Sequence, residues 1–250
     1  MKDLDVTHFA SSVELAETAA KDWLGLIPSF PAAHLVAIPG GRIASDFFDA
    51  VTAHAVASGV SFEHVYFFWS DERCVPPEHR DSNFRVAKAE LLGPLGIYRN
   101  RIHRIKGELA PDEAVADANA ALGLLAPTNS AGQPVLDLVL LGMGEDGHVA
   151  SLFPNAPASV VECETPYVAV RNAGKPPPLR ISLSYAAIAA AAEVWVLVSG
   201  PGKEDVFRES LRPGAKTPLA RILQSRKSTR IFTDLATGQL AHKPDGGKLT

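Results

Sequence analysis

The segment that decides the fold reads Leu138-Val139-Leu140-Leu141-Gly142-Met143-Gly144-Glu145-Asp146-Gly147-His148-Val149-Ala150-Ser151-Leu152-Phe153-Pro154. It begins with a short, branched apolar run without polar alternation, which predicts a strand buried on both faces. Three glycines then enclose two carboxylates, and a histidine follows at once. Glycine lets the backbone turn tightly and approach a ligand without an obstructing Cβ. The segment therefore predicts a central strand that ends in a functional loop.

The spacing Gly142-x-Gly144-x-x-Gly147 also matches the dinucleotide-binding fingerprint. In a nucleotide-binding fold that motif opens a long helix, and an acidic residue follows about 20 residues later. Here Pro154 and Pro157 interrupt the chain soon after the motif, so that barely two helical turns would fit. The sequence thus favours a proton-transfer loop over a site for a nicotinamide dinucleotide.

Segments of strand character alternate with segments of helical periodicity along the rest of the chain. Besides the strand that begins at Leu138, strands are predicted at 34–38, 64–69, 102–105, 167–171, 180–183, 193–199 and 229–233. Helices are predicted from Ser11 to about Ile27, from Ser45 or Asp46 to Gly59, from Ser82 or Asn83 to Leu92, and over 111–126, 186–192, 203–211 and 218–223. The alternation predicts an α/β fold with a mainly parallel central sheet and helices on both faces. We expect a single domain over residues 1–250, with a frayed tail after about residue 238.

The composition is typical of a globular cytoplasmic protein. Apolar residues make up 46% of the 250 residues, which is enough for a sizeable core. A net charge of -4 gives no support for nucleic-acid binding, and no apolar run reaches the length of a membrane span. The chain starts without a signal region, and its two cysteines, Cys74 and Cys163, do not make a disulfide framework. We therefore expect a cytoplasmic location without nucleic-acid or membrane partners.

Four polar groups occupy predicted strand ends or helix starts: Gly40-Gly41-Arg42, Asp71-Glu72-Arg73, Asp146-Gly147-His148 and Lys203. In open parallel sheets, ligands bind beyond the carboxyl ends of the strands. We therefore expect these groups to converge on one crevice.

The residues of this crevice are suited to an anionic ligand. Backbone N–H groups at Gly40 and Gly41 would face an anion at a helix start, although an ordinary βα turn is the alternative. Arg73, Arg180 and Lys203 lie at the margins of apolar strands and offer a planar fork or a point charge for phosphate. Surface charges are the alternative for each of them. Together they predict a small phosphorylated substrate.

His148 is the best candidate for a general base, because imidazole titrates near neutral pH. Asp146 is placed to orient the imidazole or to stabilise its charged form, and a loop-capping role is its alternative. The other histidines are interpreted as structural or surface residues. The sequence contains no Gly-x-Ser-x-Gly elbow and no His-Glu-x-x-His spacing, which argues against a serine nucleophile and a metal site. His148-assisted attack by water is the more economical interpretation.

At these residues the sequence resembles the glucosamine-6-phosphate isomerase/6-phosphogluconolactonase family, and specifically its lactonases. The resemblance covers nearly the whole chain. Three segments carry it: 67–73 (FFWSDER) with 81–85 (DSNFR), 141–148 (LGMGEDGH) with 151–154 (SLFP), and 178–183 (PLRISL) with 200–203 (GPGK).

The resemblance implies a Rossmann-like, glucosamine-6-phosphate deaminase-like fold and the hydrolysis of 6-phospho-D-glucono-1,5-lactone to 6-phospho-D-gluconate. It implies no cofactor and no metal, and we expect a monomer whose partner is a small phosphorylated sugar lactone. His148 would activate water with help from Asp146. The substrate-binding residues that it implies are Gly40, Gly41, Arg42, Asp71, Arg73, Asn83, Gly144, Arg180 and Lys203.

The chain departs from the family pattern at the first turn. The family usually has Ser-Gly-Gly-Ser-Thr-Pro there, whereas this chain has Pro39-Gly40-Gly41-Arg42-Ile43-Ala44. We expect Arg42 to substitute as a cationic phosphate contact, with Ser45 as a late hydroxyl donor. A smaller departure is Val149, where the family often has threonine.

Two alternative functions stay open from the sequence. Aminosugar-phosphate deaminase/isomerases share the Asp-Gly-His loop, but they usually continue it with an asparagine, glutamate and proline segment. Here Ser151-Leu152-Phe153-Pro154 stands in that place, which favours the lactonase. The second alternative is a non-catalytic sugar-phosphate-binding domain, which would need an output module.

Overall fold

The structure is a computed structural model that describes residues 3–29 and 32–235. The predicted fraying after about residue 238 lies outside these residues. Within the described residues, the central sheet has six strands, all of them parallel, in the order β1-β9-β8-β5-β2-β3. Their bounds are β1 Asp3–His8, β2 His34–Ile38, β3 Val65–Trp69, β5 Leu138–Gly142, β8 Glu193–Val198 and β9 Ser228–Thr233. The prediction of a mainly parallel sheet is confirmed, and β1 is a strand that the sequence analysis missed.

A second, antiparallel sheet of three strands lies beside the central sheet. Its order is β4-β7-β6, with β4 at Asp71–Arg73, β6 at Tyr167–Val170 and β7 at Arg180–Leu183. The hydroxyl of Tyr167 donates to the carbonyl of Trp69 at 2.9 Å and so ties the small sheet to the end of β3. The pairing of β4 with β7 in this small sheet therefore brings Asp71 and Arg73 close to Arg180.

Eight α-helices connect the strands within the described part of the chain. They are α1 Ser12–Leu26, α2 Arg42–Ser58, α3 Asn83–Ala87, α4 Pro111–Leu125, α5 Ala158–Val161, α6 Tyr185–Ala190, α7 Glu204–Ser210 and α8 Pro218–Ser225. A π-helical turn at Lys88–Leu92 continues α3. The first turn of α1 is capped by side chains, because Ser11 Oγ accepts from Glu14 N and the Glu14 carboxylate accepts from Ala10 N.

The order of the strands explains where a site can form. After β2 the chain passes through α2 to β3 on one side, whereas after β5 it moves to β8 and β9 on the other. Because such crossovers are right-handed, α2 and the helices of the second half cover opposite faces of the sheet. A crevice opens where the direction reverses, between the carboxyl ends of β2 and β5. The loops at Gly40 and at Gly142 begin there.

Strand β5 is the centre of the core. Leu138, Val139, Leu140 and Leu141 are all completely buried, as the unbroken apolar run predicts. Burying each such side chain contributes roughly 1.5–3 kcal/mol relative to leaving it in water. The strand end is therefore a rigid base for the loop that follows it.

The predicted strand at 102–105 is wrong. Ile102 makes only an isolated bridge to Phe67, and His103 N donates to Phe67 O at 2.8 Å. The ring of His103 stacks on Phe68, with ring centroids 4.9 Å apart. The apolar pattern therefore reflects side chains that pack against β3.

The start predicted for the second helix is also wrong, because α2 begins at Arg42. Gly41 precedes it with φ of 92°, in the region that favours glycine, and the chain enters the helix at once. Ser45 is thus inside the helix and does not line the crevice described below, which removes it as a hydroxyl donor.

His34 makes the folding stability depend on pH. It is buried at the start of β2, where Trp23 Nε1 donates to His34 Nε2 at 3.0 Å. Burial lowers the pKa of His34 from 6.5 to about 4, so the unfolded chain takes up this proton before the folded one does. The contribution to stability is present above pH 6.5 and is lost as the pH falls toward 4.

We therefore expect the unfolding free energy to fall by roughly 2 kcal/mol between about pH 7.5 and pH 5 because of His34. Urea unfolding of the native chain and of His34→Gln at both pH values would measure the effect, since the glutamine variant lacks it. Asp137 lies 4.0 Å from His34, and burial raises the pKa of its carboxyl, which acts in the opposite sense. An equal pH dependence in both proteins would contradict the assignment to His34.

Candidate active site

A cavity of about 190 Å³ lies in the crevice between β2 and β5. Nine of the predicted site residues line it: Gly40, Gly41, Arg42, Asp71, Arg73, Gly144, His148, Arg180 and Lys203. Asp146 and Asn83 are not on its wall and lie behind it, against His148 and Asp71 respectively. The four polar groups identified in the sequence therefore converge, as expected from their strand-end positions.

The loop after β5 is fixed by its own backbone hydrogen bonds. Gly144 N donates to His148 O at 2.9 Å, and Gly147 N donates to Gly144 O at 3.0 Å. Gly147 has φ of 78°, which a tight turn of this kind requires. No helix opens at this loop, and the next helix is the four-residue α5. This geometry does not match a dinucleotide-binding loop.

His148 and Asp146 form a direct pair within this loop. Nδ1 of His148 hydrogen-bonds Oδ1 of Asp146, which also accepts from His148 N at 3.3 Å. Burial alone would raise the pKa of Asp146, but the hydrogen bonds and the charge of His148 lower it to about 2. Because the carboxylate is ionised and can only accept, Nδ1 carries the proton. Nε2 of the neutral ring is then the basic nitrogen.

Two contacts fix the plane of the imidazole. Phe153 packs against it with ring centroids 4.6 Å apart. The second contact is with Gly144, whose backbone approaches the imidazole so closely that a Cβ on this residue would lie 2.0 Å from Cε1 of His148. Gly144 thus serves the site through its lack of a side chain.

Asp71 is held in the cavity wall by two side chains. Ser151 Oγ donates to Asp71 Oδ2 at 2.6 Å, and Asn83 Nδ2 donates to Asp71 Oδ1 at 3.3 Å. Ala150, the residue before Ser151, has φ of 50°, a strained value for a residue other than glycine. The amide of Asn83 also fills the space where a Cβ of Gly40 would be, with Oδ1 at 2.1 Å. Asn83 therefore supports Asp71 and the first turn from behind the wall.

Arg73 is placed by the start of α3. The buried carboxylate of Glu72 accepts from the backbone N–H groups of Asn83 and Phe84 at 2.7 and 2.8 Å. Burial raises the pKa of Glu72, and these hydrogen bonds oppose the rise. Arg73 Nη1 donates to the carbonyl of Asp81 at 2.7 Å. This arrangement holds the guanidinium at the cavity wall.

Two further cations meet near α7 and the first turn. Lys203 is only 9% exposed and makes no ion pair with a described residue. Burial lowers its pKa, and the charge of Arg42 lowers it further. Arg42 lies 3.9 Å from Glu145, and the two side chains are 80% and 58% exposed. Lys203 is therefore a buried cation suited to an anion, whereas Arg42 is at the rim.

Arg180 is buried, and burial lowers its pKa. Its guanidinium donates to backbone carbonyls of the preceding loop and lies 5.6 Å above the Phe153 ring. The position of Arg180 at the margin of an apolar strand predicted that it would lie at the cavity, but it did not predict these hydrogen bonds.

Several residues of the site are not among those predicted from the sequence. Lys175, Glu145, Ser70 and Ala150 also line the cavity. The sequence signal for Lys175 is its position in Lys175-Pro176-Pro177-Pro178, just before the strand that carries Arg180.

No group of three or more metal-ligating side chains occurs in the part of the chain that the structure describes. No helix within the same residues is long and apolar enough to cross a membrane.

Comparison with known proteins identifies the family. A family model described as "Glucosamine-6-phosphate isomerases/6-phosphogluconolactonase" matches residues 10–232. The chain belongs to this family. A member from Mycobacterium tuberculosis, named 6-phosphogluconolactonase, is 38% identical over 211 residues, which cover 81% of this chain and 84% of that protein.

Solved structures of family members have the same architecture. The 6-phosphogluconolactonase from Trypanosoma brucei superposes with a TM-score of 0.82 at 26% identity, covering 93% of this chain and 97% of that one. A monomeric glucosamine-6-phosphate deaminase gives a TM-score of 0.74 at 18% identity, covering 92% and 96%. The fold of the family therefore accommodates both activities, and the residues of the site must distinguish them.

Proposed function

We propose that this chain is a 6-phosphogluconolactonase, which hydrolyses 6-phospho-D-glucono-1,5-lactone to 6-phospho-D-gluconate in the oxidative pentose phosphate pathway. The observation that carries the proposal is the His148–Asp146 pair in a cavity with five cations on its wall. The lactonase names of its relatives support it.

In the proposed reaction, Nε2 of His148 takes a proton from water as the water oxygen bonds to the lactone carbonyl carbon. The Asp146 carboxylate stabilises the imidazolium that forms. Collapse of the tetrahedral intermediate breaks the bond between the carbonyl carbon and the ring oxygen. His148 then returns the proton to that ring oxygen, which becomes a hydroxyl group.

We further propose that the substrate lies between the two glycine loops. Gly40, Gly41 and Gly144 present backbone to it, and Asp71 is suited to accept hydrogen bonds from sugar hydroxyls. Lys203, Arg73 and Arg42 supply positive charge for the phosphate. Asn83 contributes by holding Asp71.

The deciding experiment is a hydrolysis assay with freshly prepared 6-phosphogluconolactone, read as acid release above the enzyme-free rate. Glucosamine 6-phosphate, assayed for ammonia release, is the control for the deaminase activity. Hydrolysis at the uncatalysed rate, or ammonia release instead, would overturn the proposal.

Replacement of Arg42 by alanine tests the altered first turn. Because the side chain is largely exposed, we expect the KM for the phosphorylated lactone to rise only roughly 2- to 5-fold. Steady-state kinetics would measure it, with Arg99→Ala as the control at an arginine outside the cavity. An unchanged KM would make Arg42 a surface residue without a role in binding.

For the cell we propose a cytoplasmic monomer. Both cysteines are free thiols, which suits a reducing compartment. Light scattering after size exclusion would measure the oligomeric state.

A further inference from the structure

The loop 171–179 connects β6 to β7 and reaches the cavity at Lys175. Ala173 N donates to Pro178 O at 3.0 Å, which closes the loop at its base. Lys175 is exposed and lines the cavity, and its side-chain ammonium group makes no hydrogen bond or ion pair with any other described residue. Its ammonium group is therefore available to a ligand.

Arg180 holds this loop from beneath. Its Nε donates to the carbonyl of Pro177 at 3.0 Å, and its Nη2 donates to the carbonyls of Lys175 and Pro176 at 3.2 and 3.1 Å. Three donated bonds from one buried guanidinium leave the loop backbone little freedom. These bonds also use the Nε and Nη2 donors of the guanidinium, which would otherwise be available to bind phosphate in a bidentate way.

We propose that Lys175 binds the phosphate of the substrate and that Arg180 is a positioning residue, which acts by fixing the loop that carries Lys175. This inference rests on the proposed function and changes the role that the sequence suggests for Arg180.

The charges of the cavity support this division of roles. Five cations line it, namely Arg42, Arg73, Lys175, Arg180 and Lys203, together with the carboxylates Asp71 and Glu145. Arg73 and Arg180 already donate to backbone carbonyls, whereas Lys175 and Lys203 do not. A lysine is a compact charge with three rotatable donors, and it can follow a phosphate on a flexible stem. Lys175 and Lys203 are thus the pair best suited to a dianion.

The first test compares Lys175→Met with Lys216→Met, a matched change at an exposed lysine outside the cavity. Loss of one charge-assisted contact is expected to weaken binding of 6-phospho-D-gluconate by roughly 10- to 100-fold in calorimetry. The KM for the phosphorylated lactone should rise by a similar factor with little change in kcat. Turnover of unphosphorylated D-glucono-1,5-lactone should be unaffected, and Lys216→Met should resemble the native chain in every measurement.

The second test is a double-mutant cycle with Arg180→Lys, which keeps the charge but cannot hold three carbonyls in the same geometry. If Arg180 acts through the loop, the variant weakens 6-phospho-D-gluconate binding, and adding Lys175→Met weakens it little further. If Arg180 itself binds the phosphate, the losses in the two variants multiply. Thermal unfolding of each variant verifies that it is folded.

Three results would overturn the inference: unchanged binding in Lys175→Met, an equal loss with both lactones, or multiplicative losses in the cycle. Failure of the proposed function is distinguishable, because a native chain that binds 6-phospho-D-gluconate without hydrolysing the lactone would still report on Lys175 through calorimetry.

Discussion

Replacement of His148 by alanine is expected to lower kcat for 6-phosphogluconolactone by roughly 10²- to 10⁴-fold, the usual contribution of a positioned base. The variant loses the Nε2 atom that takes the proton from water, while the cations of the cavity stay in place. Binding of 6-phospho-D-gluconate should therefore be largely retained. Stopped-flow kinetics with subtraction of the spontaneous hydrolysis would measure the change.

His64→Ala is the matched control, because His64 is exposed and lies outside the cavity. Its kcat should equal that of the native chain. A turnover number for His148→Ala equal to that of this control would remove His148 from the role of base. A loss of product binding as large as the loss of kcat would assign His148 to binding instead.

The second large effect is expected at Gly144, where alanine would place a Cβ 2.0 Å from Cε1 of His148. The imidazole must move, and a displacement of about 1 Å at a catalytic group costs on the order of 100-fold in rate. Because the ring is also held by Asp146 and Phe153, part of the strain should appear as a lower Tm. Kinetics and thermal unfolding of Gly144→Ala would measure both.

Gly142→Ala, at the last residue of β5 just before this loop, is the control. Its Cβ would make ordinary contacts at 3.8 Å, with Gly40 O and Ile43 Cγ2. We expect a much smaller loss of rate from this variant. If the two alanine variants had equal kcat values, the close approach of Gly144 to the imidazole would not matter for catalysis.

Much of the central sheet could be predicted because its strands are defined by local sequence. The run at Leu138–Leu141 has no polar residue, and its complete burial follows directly. The small antiparallel sheet could not be predicted in this way. β4 is only Asp71–Arg73, three polar residues whose pairing with β7 depends on contacts more than 100 positions apart.

The sequence predicts which residues belong to the site better than it predicts the hydrogen bonds between them. Residue types and strand-end positions suggested His148 and Lys203, and both line the cavity. The position of Asn83 behind Asp71 depends on how α3 meets β4, which no local pattern encodes. The bonds from Arg180 to the loop 171–179 depend likewise on the chain path between two strands. Hydrogen-bond partners such as these are determined by tertiary packing and not by the local sequence.

The close approach of Gly40 to Asn83 and of Gly144 to His148 has an evolutionary consequence. A Cβ at either glycine would displace the side chain that it meets, so both positions are closed to larger residues unless Asn83 or His148 moves. Arg42 and Glu145 lie at the rim and are largely exposed, so a change of side chain at either position meets little steric constraint. Substitutions at these two positions can therefore change the charge at the cavity entrance without changing the backbone that forms its walls, and laboratory evolution toward differently charged lactones would begin there.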